Sequence, residues 1–75
     1  METKKKDDRK LLGSQIEDRI LEYIKEKPLE VGDRLPNEFE LAEMFEVGRS
    51  TIREAVKGLV TKGVLQVRRG AGTYV

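Results

Sequence analysis

The chain has no cysteine and no histidine among its 75 residues, and each absence removes a class of function. Without cysteine there are no disulfide staples and no thiolate clusters. Without either residue the commonest zinc ligands are gone, and with histidine goes the commonest general base. A metal finger and a histidine-based catalytic site are therefore excluded. Aromatic residues are almost as scarce: Tyr23, Phe39, Phe45 and Tyr74 are too dispersed to form the platform of adjacent rings on which single-stranded nucleic acid stacks. No apolar run approaches the roughly 20 residues that a bilayer span needs. The opening residues, METKKKDDRK, lack the apolar centre of a signal peptide, so a cytoplasmic location is expected. Length sets a further bound, because a domain of this size buries only roughly 60% of its unfolded surface and has room for one marginal core.

What the chain does have is charge, in a near balance that hides a division. The formal net charge is +1. Residues 1–46 hold nine Lys/Arg against thirteen Asp/Glu, whereas residues 47–75 hold six against one. Segregation of this kind is the electrostatic footprint of a face that binds a polyanion; a merely soluble surface mixes the signs.

The first ten residues are nearly all charged or polar and cannot bury surface to offset the entropy of being ordered, so residues 1–12 are expected to be a flexible charged tail and residues 13–75 the folded domain. Lys4, Lys5 and Lys6 could serve as a DNA-reaching arm, but Asp7 and Asp8 argue against it. From Ser14 the apolar positions Ile16, Ile20, Leu21, Tyr23 and Ile24 follow helical spacing, with Ser14 and Glu17 placed as a capping box and Pro28 as the stop. Leu29 to Pro36 reads as a connector in which Arg34-Leu35 can form a very short strand. A second helix is expected to begin at Asn37, capped reciprocally with Glu40, and to bury Leu41, Ala42, Met44 and Phe45. Glu46-Val47-Gly48 supplies a turn. A third helix then carries the i, i+3, i+4, i+7, i+8 stripe of Ile52, Ala55, Val56, Leu59 and Val60, ending at Gly63. Beyond Gly63 the period changes to an alternating one. Val64 to Val67 and Thr73 to Val75 read as two strands of a hairpin across Arg68-Arg69 and Gly70-Ala71-Gly72.

Once the stripe of the third helix is committed to the core, Arg49, Ser50 and Arg53 are left on the outer face of its first turns, with Thr51 at the flank and Lys57 one turn on. A helix fits the major groove and its N-terminal dipole favours phosphate. Arginine's fork matches guanine or phosphate acceptors, while Ser and Thr hydroxyls reach base or backbone. For any single arginine a plain solvated role, with Arg53 paired to Glu46 or Glu54, is the stronger account; for the group, with the basic hairpin following, DNA recognition is. In the hairpin, Gly70 and Gly72 permit positive φ, and Arg68 and Arg69 stand on the approach to the tip, as a wing resting along phosphates or entering the minor groove requires. The plainer account is that the glycines only close the hairpin and the arginines only solubilise it. The glycines lack the third member and the following helix of a dinucleotide loop.

These residues, Leu35-Pro36-Asn37-Glu38-x-Glu40-Leu41-Ala42, Val47-Gly48-Arg49-Ser50-Thr51-Ile52-Arg53-Glu54-Ala55, Gly63 and Arg68-Arg69-Gly70-x-Gly72-Thr73-Tyr74-Val75, closely resemble the N-terminal winged-helix domain of the GntR family of bacterial transcription regulators, over about residues 13–75. The resemblance implies a homodimer on a near-palindromic operator. It implies arginines at 49 and 53 contacting bases and phosphates, hydroxyls at 50 and 51 assisting, and the Gly70 tip in the minor groove. It also implies a metabolite-binding, dimerising C-terminal domain, which this chain does not contain. Phe39 stands where an arginine is common and often touches DNA, and Gly48 replaces a usual Ser or Thr. The third-helix motif leans toward the subfamily with an all-helical effector domain.

The expected fold is thus α+β, a small winged helix-turn-helix of three helices followed by a two-stranded hairpin wing, with a short third strand near Leu35. The expected function is sequence-specific double-stranded DNA binding as the operator-recognition domain of a metabolite-responsive regulator, expected to be a repressor although the sequence does not fix the sign of regulation, with no cofactor. A winged-helix protein-interaction module is the alternative. An enzyme is the weakest reading, since Glu38, Glu40 and Glu43 lie on a helix with no apparent cleft or partner.

Overall fold

The computed structural model describes the backbone of residues 4–75 and the side chains from Leu12 onward. Three helices, α1 (Lys4–Glu26), α2 (Glu38–Phe45) and α3 (Arg49–Thr61), precede two strands, β1 (Gln66–Arg68) and β2 (Gly72–Tyr74).

α1 starts at Lys4 and not at Ser14, so Ser14 lies within the helix and is not its cap. Lys, Arg and Leu are strong helix formers, and no proline interrupts them before Pro28. Once a helix is nucleated, each further residue adds a hydrogen bond without needing an apolar stripe. The expected tail therefore has helical backbone from Lys4 on; residues 1–3 and the side chains of residues 4–11 lie outside what is described. At the other end α1 stops at Glu26, two residues before Pro28, whose ring disfavours helical geometry in the residue before it.

Asn37 caps α2 as its sequence predicts. Its side chain accepts from the Glu40 N–H at 2.8 Å, and the Glu40 carboxylate accepts from the Asn37 N–H at 2.9 Å. In the turn to α3 the left-handed residue is Glu46, at φ 57°, whereas Gly48 has an ordinary φ of −72° and supplies no special conformation.

The core is wholly apolar. Ile16 and Ile20 of α1 meet Leu41 and Ala42 of α2 and Ile52, Ala55 and Leu59 of α3, with Leu35 and Leu65 closing the layer below the strands. Two expected core residues lie outside it: Met44 is 44% exposed and Val60 37%. Each stands at the edge of its apolar stripe, where a three-helix domain offers no further layer to cover it.

β1 and β2 pair antiparallel with Gln66 opposite Tyr74, Val67 opposite Thr73 and Arg68 opposite Gly72. The Arg34 segment adds the short third strand as a single bridge to Tyr74 on the free edge of β2. It is fixed there by hydrogen bonds from Leu35 N–H to the Thr73 carbonyl and from Val75 N–H to the Asp33 carbonyl, both 2.8 Å. Buried Leu35 ties this small sheet to the helices.

Candidate nucleic-acid interface

α3 presents Arg49, Ser50, Arg53 and Lys57 along one exposed face, opposite buried Ile52, Ala55 and Leu59. Thr51, half-buried, sits off this face. Gly48 provides no side-chain cap and the first turn carries no acidic residue, so the Arg49 and Ser50 N–H groups and the positive end of the helix dipole stay available to an anion, while the Thr51 N–H bonds the Gly48 carbonyl.

The two leading arginines are brought together by a residue that the sequence pattern did not single out as a partner. The Glu38 carboxylate, at the first turn of α2, accepts from Arg53 Nε at 3.0 Å and Nη2 at 3.3 Å, and from Arg49 Nε at 3.1 Å. Arg53 therefore pairs with Glu38 and not with Glu46 or Glu54, and Glu38 is more than part of a charged helix face. The hydrogen bond from Arg53 holds the Glu38 carboxyl below the usual glutamate range; burial, the next-largest effect, opposes it, and the charge of Arg53 with the hydrogen bond and charge of Arg49 add to the lowering. The reciprocal hydrogen bond raises the Arg53 pKa. These contacts join two separate helices across a turn, so the periodicity of neither helix could find them.

Arg49 and Arg53 remain 57% and 60% exposed. Arg49 is held only by Nε, which leaves both terminal nitrogens uncommitted, a fork able to read guanine or grip phosphate bidentately. Arg53 spends two of its three nitrogens on Glu38. Phe39, 57% exposed, stands beside Glu38 on α2.

The hairpin projects beside α3 across a shallow cleft of about 200 Å³ whose lining includes Pro36, Leu41, Ile52, Val56, Val67 and Thr73. At its tip Arg69, Gly70 and Ala71 are exposed, and the Ala71 N–H closes the turn on the Arg68 carbonyl at 2.9 Å. Gly70 at φ 73° and Gly72 at φ 122° both occupy conformations that a side chain resists. Arg68 lies over the Tyr74 ring, 4.7 Å from its centroid, and the Tyr74 hydroxyl donates to the Ala71 carbonyl at 3.1 Å, bracing the tip.

A helix-turn-helix with an arginine-led second helix, followed by a glycine-tipped basic hairpin, defines a winged-helix DNA-binding domain. The sequence matches the family of bacterial regulatory proteins, gntR family, over residues 12–75, and the chain belongs to that family. It is 47% identical over 64 residues to the Uxu operon transcriptional regulator of Escherichia coli, covering 85% of this chain and 23% of that protein. To the Mannosyl-D-glycerate transport/metabolism system repressor MngR, also of Escherichia coli, it is 46% identical over 66 residues, covering 88% of this chain and 28% of the repressor. The chain thus spans about a quarter of the length of the curated relatives it matches. Among solved structures, Streptococcus agalactiae GntR superposes with a TM-score of 0.80 at 56% identity, covering 84% of this chain and 31% of that one. The DNA-binding domain of AraR in complex with operator ORX1 superposes with a TM-score of 0.78 at 34% identity, covering 85% of this chain and 77% of that one. The relatives are transcription regulators, and no helix among the described residues is long and apolar enough to cross a membrane.

Proposed function

We propose that this domain recognises the operator of a metabolite-responsive bacterial regulator, a repressor, by laying the first turns of α3 in the major groove and the Gly70 tip in the adjacent minor groove. The carrying observation is the cluster of Arg49 and Arg53 at the uncapped start of α3, beside a basic glycine-tipped wing. Arg49, with its free fork, reads base edges. Arg53, held by two nitrogens, keeps one terminal nitrogen fully free for phosphate. Ser50, Thr51 and Lys57 supply further donors on or beside the same face, and Arg68, Arg69 and Gly70 make the wing contact. Residues 13–75 form the reading unit. Two copies bind a near-palindromic site as a homodimer, and a small-molecule effector acts through a C-terminal domain beyond this chain, in the cytoplasm.

The test is selection of bound sequences from a randomised duplex pool by residues 1–75, at two salt concentrations. Enrichment of a short palindrome, with a steep fall in affinity as salt rises, is the expected result. Sequence-blind or salt-insensitive binding would count against the operator reading and favour a protein partner.

A further inference from the structure

We propose that Arg34, which lies in the acidic half of the sequence and outside both the recognition helix and the hairpin, is a phosphate-binding residue of the wing. The proposal rests on the reading of the hairpin as a DNA-binding wing and extends it to a third strand.

Residues directly opposed in an antiparallel pair share a face, and so do residues two apart on one strand. Gln66, Tyr74 and Arg34 therefore stand on one face of the small sheet, with Arg68 and Gly72 on the same side. Val67 and Thr73 face the other way, into the cleft toward α3. The outer face thus carries two arginines, one on each side of β2. Arg34 fills the space that Gly72 leaves open: a Cβ at position 72 would lie 2.9 Å from Arg34 Nε and 3.4 Å from Nη2. Arg68 lies over the Tyr74 ring in the opposite diagonal sense. Each guanidinium is supported on a flat surface, a glycine backbone or an aromatic ring, next to a tip braced by Tyr74.

The electrostatics assign this pad an anionic partner. Among the described residues, Arg34, Arg68 and Arg69 have no carboxylate within ion-pair distance, whereas Arg49 and Arg53 share Glu38. The neighbouring Asp33 turns its carboxylate back to accept from the Glu30 N–H at 2.8 Å. The unneutralised positive charge near the tip is therefore on the wing's outer face, continuous with Arg69 and Gly70. A planar guanidinium fits the paired oxygens of a phosphate, and the strand flanking the minor groove that the tip enters supplies phosphates alongside that face.

The experiment compares the unmodified chain with R34Q, R34K and K25Q, the last removing a charge from the far side of α1. Each is titrated with a duplex carrying the selected motif and with random duplex across a salt series. R34Q is expected to weaken both duplexes by the same factor and to flatten the log-affinity against log-salt slope by about 0.9, the share of one phosphate contact. R34K is expected to keep the slope, and K25Q to leave it unchanged. Arg34 is exposed, so none of these changes touches the core. An R34Q slope equal to that of the unmodified chain, or an equal flattening by K25Q, overturns the assignment while leaving the wing reading intact. Absence of salt-dependent duplex binding by the unmodified chain overturns both.

Discussion

Glu38 grips Arg53 through two hydrogen bonds, at 3.0 and 3.3 Å, while reaching Arg49 through one. A single carboxylate at the start of α2 thus sets the geometry and the local charge of the first turns of α3. On the proposed reading, the arrangement lowers the attraction of this face for DNA in general and restricts the rotamers from which the two arginines engage it. Both effects favour selectivity over raw affinity.

Replacing Glu38 with Gln is accordingly expected to strengthen binding to random duplex by about 2- to 5-fold, the worth of an exposed ion pair, and to narrow the ratio between operator and random duplex. E43Q, which removes the same charge from α2 without touching either arginine, is expected to leave that ratio alone. Fluorescence-anisotropy titrations on both duplexes measure it; an equal effect of the two substitutions would assign Glu38 a purely electrostatic role.

The same pairing is visible in a proton titration. The Glu38 carboxyl titrates below the ordinary glutamate range because Arg53 and then Arg49 favour its charged form. A depressed folded-state pKa contributes stability that is fully present above the ordinary glutamate pKa and is lost as pH falls through the lower, folded value. Carbon-detected NMR of the side-chain carboxyl follows this directly. R53A should move the midpoint back toward the ordinary range more than R49A does, in keeping with the order of the two contributions.

Arg49 and Lys57 share a face of α3, and the proposed operator reading gives them different tasks. R49A is expected to cost about 1–3 kcal/mol on the operator and to relax base preference, whereas K57A, contacting phosphate, should weaken all sequences alike. Affinities on the selected motif, on single-base variants and on random duplex separate the two. Equal loss on operator and random DNA for R49A would remove its base-reading role.

Much of this was legible in the residues because the signals were local. The Asn37–Glu40 capping box, the Ile52-Ala55-Leu59 stripe and the turn glycines of the hairpin all involve partners within a few positions or a regular period. What was hidden depended on tertiary approach or on competition between propensities. Glu38 meets Arg49 and Arg53 only once the two helices cross, and Arg34 meets Gly72 only once the sheet closes. The start of α1 followed strong helix formers where charge had suggested a tail. Glu46 took the left-handed turn position although Gly48 was two residues away, and its N–H bonds to the Ala42 and Glu43 carbonyls show the helix end, not glycine, fixing that conformation.

One glycine remains whose presence helical propensity opposes. Gly58 sits within α3, where Ala would be favoured by about 1 kcal/mol. A Cβ there would fall on the Glu17 carboxylate, which crosses from α1 and accepts from Lys62 Nζ at 2.7 Å. G58A therefore shifts the Glu17 carboxylate and disturbs its pairing with Lys62, a largely exposed cation whose pKa that hydrogen bond raises. Shifting the carboxylate offsets part of the propensity gain, so G58A alone is expected to stabilise by less than it does once Glu17 is removed. In an E17A background the obstruction is gone, and G58A should stabilise by about 1 kcal/mol. Urea unfolding of the two single variants and the double variant closes the cycle. Equal effects of G58A in both backgrounds would show that Glu17 yields at no cost and that the α1–α3 contact is not held by this pair.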